Sequence, residues 1–154
     1  MERPSMPALS CMCATLRRAS RVLTQHYDEQ MRPLGLRATQ FTILQALSLV
    51  GEISQGRLGE ILAMDSTTLT RTLEIMLAHG WIVKQHGKDR RERRLRLSKA
   101  GESQFTRALP TWQAVQERLR RQLGKGRWDN LMNLSNEVTL AKSLQQSQNK
   151  RSRL

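Results

Sequence analysis

Residues 80–97 read Gly80-Trp81-Ile82-Val83-Lys84-Gln85-His86-Gly87-Lys88-Asp89-Arg90-Arg91-Glu92-Arg93-Arg94-Leu95-Arg96-Leu97. Trp81-Ile82-Val83 is an aromatic and β-branched run that fits a strand. His86 to Arg90 is a polar turn, and Arg93 to Leu97 alternates basic and apolar residues with period two, as a half-buried strand does. The stretch predicts a β-hairpin with a charged tip. Lys88, Arg90, Arg91, Arg93, Arg94 and Arg96 face only Asp89 and Glu92 as opposing charges. An arginine on so narrow a tip can enter the DNA minor groove, where the negative potential is strongest. Asp89, two residues before Arg91, is placed to hold that guanidinium extended through a charge-assisted hydrogen bond.

Upstream of the hairpin the period is helical. A first helix is expected over residues 8–32, with Met12, Leu16, Ala19, Leu23, Tyr27 and Met31 on one stripe, ended by Pro33 and Gly35. A second runs over 38–49. Ser54 caps a short third helix over 55–63, with Leu58, Ile61 and Leu62 as its apolar side. After a turn at Met64-Asp65, a fourth helix spans 66–79 and ends at Gly80. At about 100° per residue, Leu69, Leu73, Met76 and Leu77 gather on its core face, and Thr67, Thr68 and Arg71 gather opposite, with Ile75 further along. Threonine brings a hydroxyl for base edges or phosphates and a methyl for thymine, and Arg71 suits guanine or a phosphate. An amphipathic helix with a solvated face would explain this pattern alone. Followed by a basic hairpin, it reads as a winged helix-turn-helix over 38–97. Ser66, Thr67, Thr68, Thr70 and Arg71 are then the candidate groove contacts on the helix, and Lys88, Asp89, Arg90, Arg91 and Arg93 those on the wing.

The fold class is mainly α with a small β-hairpin wing. Beyond the hairpin, a long helix is expected over 99–123, kinked at Pro110, with Phe105, Leu109, Trp112, Val115 and Leu119 on one side. A last helix over 127–145 carries Trp128, Leu131, Leu134, Val138 and Leu144. Regions 1–37 and 98–145 are thus expected to be helical, and 146–154 a disordered basic tail. The long apolar stripes of the terminal helices have too little domain of their own to cover them.

Composition agrees. The 154 residues carry 26 Lys and Arg against 13 Asp and Glu, a net charge of +13, which calls for a polyanionic partner. No apolar run is long enough to span a bilayer and the first residues lack the layout of a secretory signal, so a cytoplasmic location without membrane contact is expected.

The string Asp89-Arg90-Arg91 through Leu95-Arg96-Leu97-Ser98-Lys99-Ala100-Gly101 resembles the wing signature of the MarR family, in which Asp-x-Arg precedes an apolar-x-Leu-Thr/Ser-x-x-Gly ending. The run Ser66 to Arg71 and the Gly80-Trp81-Ile82 junction are similar to that family's recognition helix and its exit. The resemblance implies a homodimer, with 1–37 and 98–145 as its helical dimerisation region, that places two recognition helices in successive major grooves of a pseudo-palindromic double-stranded operator. It also implies a repressor, released by a small aromatic or phenolic effector or by cysteine oxidation.

For the effector, His26, Tyr27, Phe41 and Trp112 are candidates to line a cleft between helices, although core packing accounts for each singly. Cys11 and Cys13 are the candidate redox or soft-metal residues. Within a helix, positions two apart point about 200° from each other, so a disulfide between subunits is easier to build than one within the chain. The base rate for free cysteine favours two small buried hydrophobes. His26, His79 and His86 are dispersed with no acidic cluster, which gives neither metal nor cofactor support. Neither a Gly-rich phosphate loop nor a nucleophile elbow is present, so catalysis is not expected. A nonspecific nucleic-acid binder is the remaining alternative.

Overall fold

The computed structural model describes residues 10–86 and 93–151, with side chains for 10–85 and 93–140. Helix α1 (Met12–Met31) passes into a 3-10 turn at Arg32–Leu34 that carries Pro33, and Gly35 closes the turn with φ +70°. Helix α2 (Ala38–Val50) begins where Asp28 of α1 accepts from the Ala38 N–H (2.6 Å) and the Arg37 guanidinium (3.3 Å). Gln40 accepts from the Arg37 N–H at 2.8 Å, so two side chains satisfy the first free amides of α2. The Asp28 contacts also lock α2 against α1.

Helix α3 (Gln55–Leu62) starts with Ser54 accepting from the Arg57 N–H. Helix α4 (Ser66–Ala78) follows a turn in which Ala63 adopts a left-handed conformation, φ +51°. A Cβ on Gly59 would lie 3.3 Å from Leu69 Cδ2, so the glycine sets how closely α3 approaches α4. At the end of α4, the Gly80 N–H bonds to Leu77 O and the Trp81 N–H to Met76 O. That paired closure needs a left-handed residue, which Gly80 provides with φ +69°.

The sheet has the order β1 (Ile53–Ser54), β3 (Arg93–Leu97), β2 (Ile82–His86), all antiparallel. The expected hairpin is present, with Ile82 opposite Leu97, but His86, expected in the turn, belongs to β2 because it pairs with Arg93. Strand β1 was not expected. Its two residues are too few to show a period, and pairing of Ile53 with Leu95 and of Ser54 with Arg94 defines it. Ile53, Leu95 and Leu97 turn inward onto Met31, Leu36, Phe41, Ile43, Leu44, Leu47, Leu58, Leu69, Leu73 and Met76, which form one buried core. Burial of the α4 face at Leu69, Leu73 and Met76 follows the helical period, while Leu77 is half-buried.

Helix α5 (Lys99–Leu123) has the expected ends and continues through Pro110. Its buried residues include a polar one, Gln104, which donates to Leu34 O at 2.8 Å and so satisfies the 3-10 turn. Helix α6 (Lys125–Arg151) departs from expectation at its far end. The last helix was expected to stop at Gln145 and give way to a disordered tail, yet the backbone is helical to Arg151. No Gly or Pro follows Gly126 to stop it, and Gln, Lys and Arg are good helix formers. At the other end, α1 starts at Met12; the expected start at residue 8 lies outside the described residues.

The first turn of α5 is the tightest point of the fold. A Cβ on Gly101 would lie 1.9 Å from Trp81 O, a backbone atom that cannot swing aside. Gly101→Ala must therefore displace α5 from the sheet, and is expected to cost about 3 kcal/mol of stability. Urea unfolding of the variant measures this; a midpoint equal to that of the parent would contradict the close approach.

Candidate nucleic-acid interface

The exposed face of α4 is set by its cap. Asp65 is extended (φ −68°, ψ 154°), and its carboxylate accepts from the Thr68 N–H at 2.9 Å and from the Thr68 hydroxyl at 2.6 Å. Hydrogen bonds from the Thr68 hydroxyl and the nearby backbone amides, Thr68 first, hold the Asp65 carboxyl below its ordinary value. The sequence reading treated Met64-Asp65 only as a turn. An Asp directly before Ser-Thr-Thr is itself an N-cap signal, and it went unused.

Beyond the cap, Ser66, Thr67, Thr70, Arg71 and Glu74 line a shallow open hollow. Thr67, Thr70, Arg71 and Glu74 stand at three- and four-residue steps, one stripe of the helix. Four of the five candidate residues on α4 therefore share the hollow. The fifth, Thr68, commits its hydroxyl proton to Asp65 and helps hold the helix end. Glu74 was missed, although its spacing from Thr67 and Arg71 places it on the same stripe. Gln55 was missed too: the first residue of α3 donates from Nε2 to Thr70 Oγ1 at 2.9 Å.

On the wing, Arg93 is exposed at the outer end of β3. Lys88, Asp89, Arg90 and Arg91 lie outside the described residues. At the wing's base, Arg94 is half-buried and its Nε lies 3.2 Å from a Glu52 oxygen, which ties β3 to the turn before β1. Exposed ion pairs of this kind add little stability, but this one fixes a direction for the strand.

The candidate effector residues separate into two groups. Phe41 is buried in the core, with ring centroids 5.5 Å from Phe105 and 5.8 Å from Trp112. These three rings join α2 to α5. His26 and Tyr27 are half-buried on α1, and burial pushes the Tyr27 phenol up from its ordinary value. Cys11 and Cys13 are both free and exposed, against the expectation of two buried hydrophobes. The reason is their position at the very start of α1, with Cys11 as the N-cap, where no other element among the described residues covers them. Among the described residues, no group of three or more His, Cys, Asp or Glu is placed to hold a metal ion. Also among them, no helix is long and apolar enough to cross a membrane.

A capped, polar-faced helix packed behind a shorter helix and followed by a three-stranded wing defines a winged helix-turn-helix. Residues 34–92 match the MarR family. The uncharacterized HTH-type transcriptional regulator YwoH of Bacillus subtilis is 28% identical over 90 residues, covering 58% of this chain and 66% of its own length. The match thus spans just under two thirds of that relative. The Mycobacterium tuberculosis transcriptional regulator MosR, solved in complex with DNA, is 33% identical with a TM-score of 0.79, over 88% of this chain and 98% of that one. A mutant Escherichia coli MarR, solved with operator DNA, shares the fold with a TM-score of 0.74 at 21% identity, over 82% and 92% of the two chains. The chain belongs to the MarR family of transcriptional regulators and is not an enzyme.

The cap gives a pH signature. The Asp65 pKa is lowered in the folded chain, so its contribution to stability is complete above the ordinary value of 3.8 and is lost as pH falls through the lower folded value. Asp65→Ala should therefore be less stable than the parent at neutral pH, and the difference should shrink in acid. Urea midpoints of both proteins across a pH series measure it; a difference that is constant down to the acid limit would contradict the capping role.

Proposed function

We propose that this chain is a homodimeric, sequence-specific double-stranded DNA-binding repressor that a chemical signal releases from a pseudo-palindromic operator. The observation that carries the reading is the stripe of exposed Thr67 and Arg71, with half-buried Thr70 between them, on a helix whose opposite face is buried and whose N-terminus is capped. Such a helix can lie in a major groove without disturbing its core, its N-terminal residues at the base edges. Ser66 and Thr68 stand at the phosphate end of the same turn. Lys88, Asp89, Arg90, Arg91 and Arg93 supply the wing's minor-groove contact in this reading, and the net charge of +13 suits the phosphate backbone.

Dimerisation is supported by apolar side chains that the single chain leaves in solvent. On α1 these are Met12, Leu16, Val22 and Leu23, and on α6 Leu131, Leu134, Val138 and Leu140. Leu131, Leu134 and Val138 form a stripe by spacing, and a second copy of the two terminal helices would cover it.

The signal has two readings. In the first, a small aromatic or phenolic effector enters beside His26 and Tyr27, with Phe41 and Trp112 as the apolar wall. In the second, thiol oxidation is the signal, and the exposure of Cys11 and Cys13 favours it. Cys11 has an extended backbone (φ −92°, ψ 116°), so the helical 200° separation does not hold the two thiols apart. One hydrogen peroxide would convert the two thiols into a disulfide and leave as two waters. Each thiol gives up its hydrogen, and the two sulfurs lose two electrons together.

Arg71→Ala and Arg91→Ala are each expected to weaken binding to a selected site by about 1–3 kcal/mol. Fluorescence anisotropy on that site and on a random duplex measures it; unchanged affinity of Arg71→Ala would remove α4 from the interface. Peroxide should release the wild-type protein from DNA and leave a Cys11→Ser, Cys13→Ser double variant bound. Equal release of both, or of neither, contradicts the thiol reading.

A further inference from the structure

Threonines inside helices usually return their hydroxyl proton to the carbonyl four residues back. Thr42 does so to Ala38 O, Thr72 to Thr68 O, Thr106 to Glu102 O and Thr139 to Ser135 O. Thr70 does not. Its oxygen instead accepts from Gln55 Nε2 at 2.9 Å, across the gap between α3 and α4, and no acceptor among the described residues takes its proton. Thr70 is half-buried and lines the hollow with Ser66, Thr67, Arg71 and Glu74.

A hydroxyl has one proton and two lone pairs. Occupying a lone pair from the protein side turns the remaining proton outward, into the hollow. From this geometry we propose that Gln55 is a positioning residue for base recognition: it fixes Thr70 as a hydrogen-bond donor toward DNA. The proposal rests on the reading of α4 as the groove-facing helix, and it adds which base edges Thr70 selects. A donor suits guanine O6 and N7, adenine N7 or thymine O4, and rejects the cytosine N4 amino group, which is itself a donor. Gln55 itself need not touch a base. Its backbone lies in the first turn of α3, which the Ser54 cap closes.

The polarity can be reversed with one atom. In Gln55→Glu the carboxylate only accepts, so Thr70 must donate inward and present lone pairs to the groove. An acidic residue at the first position of a helix is favourable, so the variant should fold. The added charge weakens binding to every duplex alike through the phosphates, and relative base preference separates that from recognition.

The experiment is selection from a random duplex library with full-length wild type, Gln55→Glu, Thr70→Val and Thr70→Ser. Wild type and Thr70→Ser should enrich the same motif. Thr70→Val should lose preference at one base pair in each half-site by several-fold, on the order of a single hydrogen bond's discrimination. Gln55→Glu should change preference at that same pair, toward a base that presents an amino donor, and leave the other positions intact. A Gln55→Glu motif identical to wild type overturns the proposal while leaving α4 as the recognition helix. A wild-type protein that enriches no motif overturns both.

Discussion

Four elements of this chain meet at the backbone of Gly80 and Trp81. The Trp81 N–H closes α4 onto Met76 O, and Trp81 O accepts the Ser98 N–H at 3.0 Å, where the wing ends. The Ser98 hydroxyl donates to Gly80 O and accepts from the Gly101 N–H, which caps α5. The His79 and Trp81 rings stack over the junction with centroids 4.4 Å apart. The end of the recognition helix, both strands of the wing and the start of the long α5 therefore share one small set of backbone groups. Gly101 is there because nothing larger fits beside Trp81 O.

That sharing has a functional meaning for a regulator. The end of α4 and the start of α5 are joined by hydrogen bonds through Gly80, Trp81 and Ser98. A signal that acts on the terminal helices would reach the groove-facing stripe through this joint and through the Phe41, Phe105 and Trp112 rings between α2 and α5. The Asp28 contacts to Arg37 and Ala38 provide a second route, from α1 to α2. Cys11, at the free end of α1, lies far along the chain from either joint, so its oxidation would have to act by moving α1 or its partner copy.

Much of this was legible in the sequence because it depends on local periods and punctuation. The ends of α5, the core face of α4 and the register class of the hairpin follow from spacing and from Ser98, Gly80 and the alternating arginines. What the sequence hid depends on contacts between distant residues. Strand β1 exists through its pairing with Leu95 and Arg94, buried Gln104 finds its partner in Leu34 O seventy residues away, and Gln55 meets Thr70 only after α3 packs on α4. The cysteines were misjudged for a related reason. The average free cysteine is buried, but burial belongs to a position in the fold, and at the start of α1 both cysteines are exposed. The far end of α6 was cut short because polar composition was read as disorder where good helix formers without Gly or Pro continue the helix.

The central claim is that two copies of one capped helix read DNA in a fixed spacing. Hydroxyl-radical footprinting of the full-length protein on its selected duplex tests this most directly. The expected result is two protected segments related by two-fold symmetry, with centres about one helical turn or a multiple of it apart, persisting at salt that removes binding to random DNA. Uniform protection, with affinity that falls equally with salt on every duplex, would contradict it.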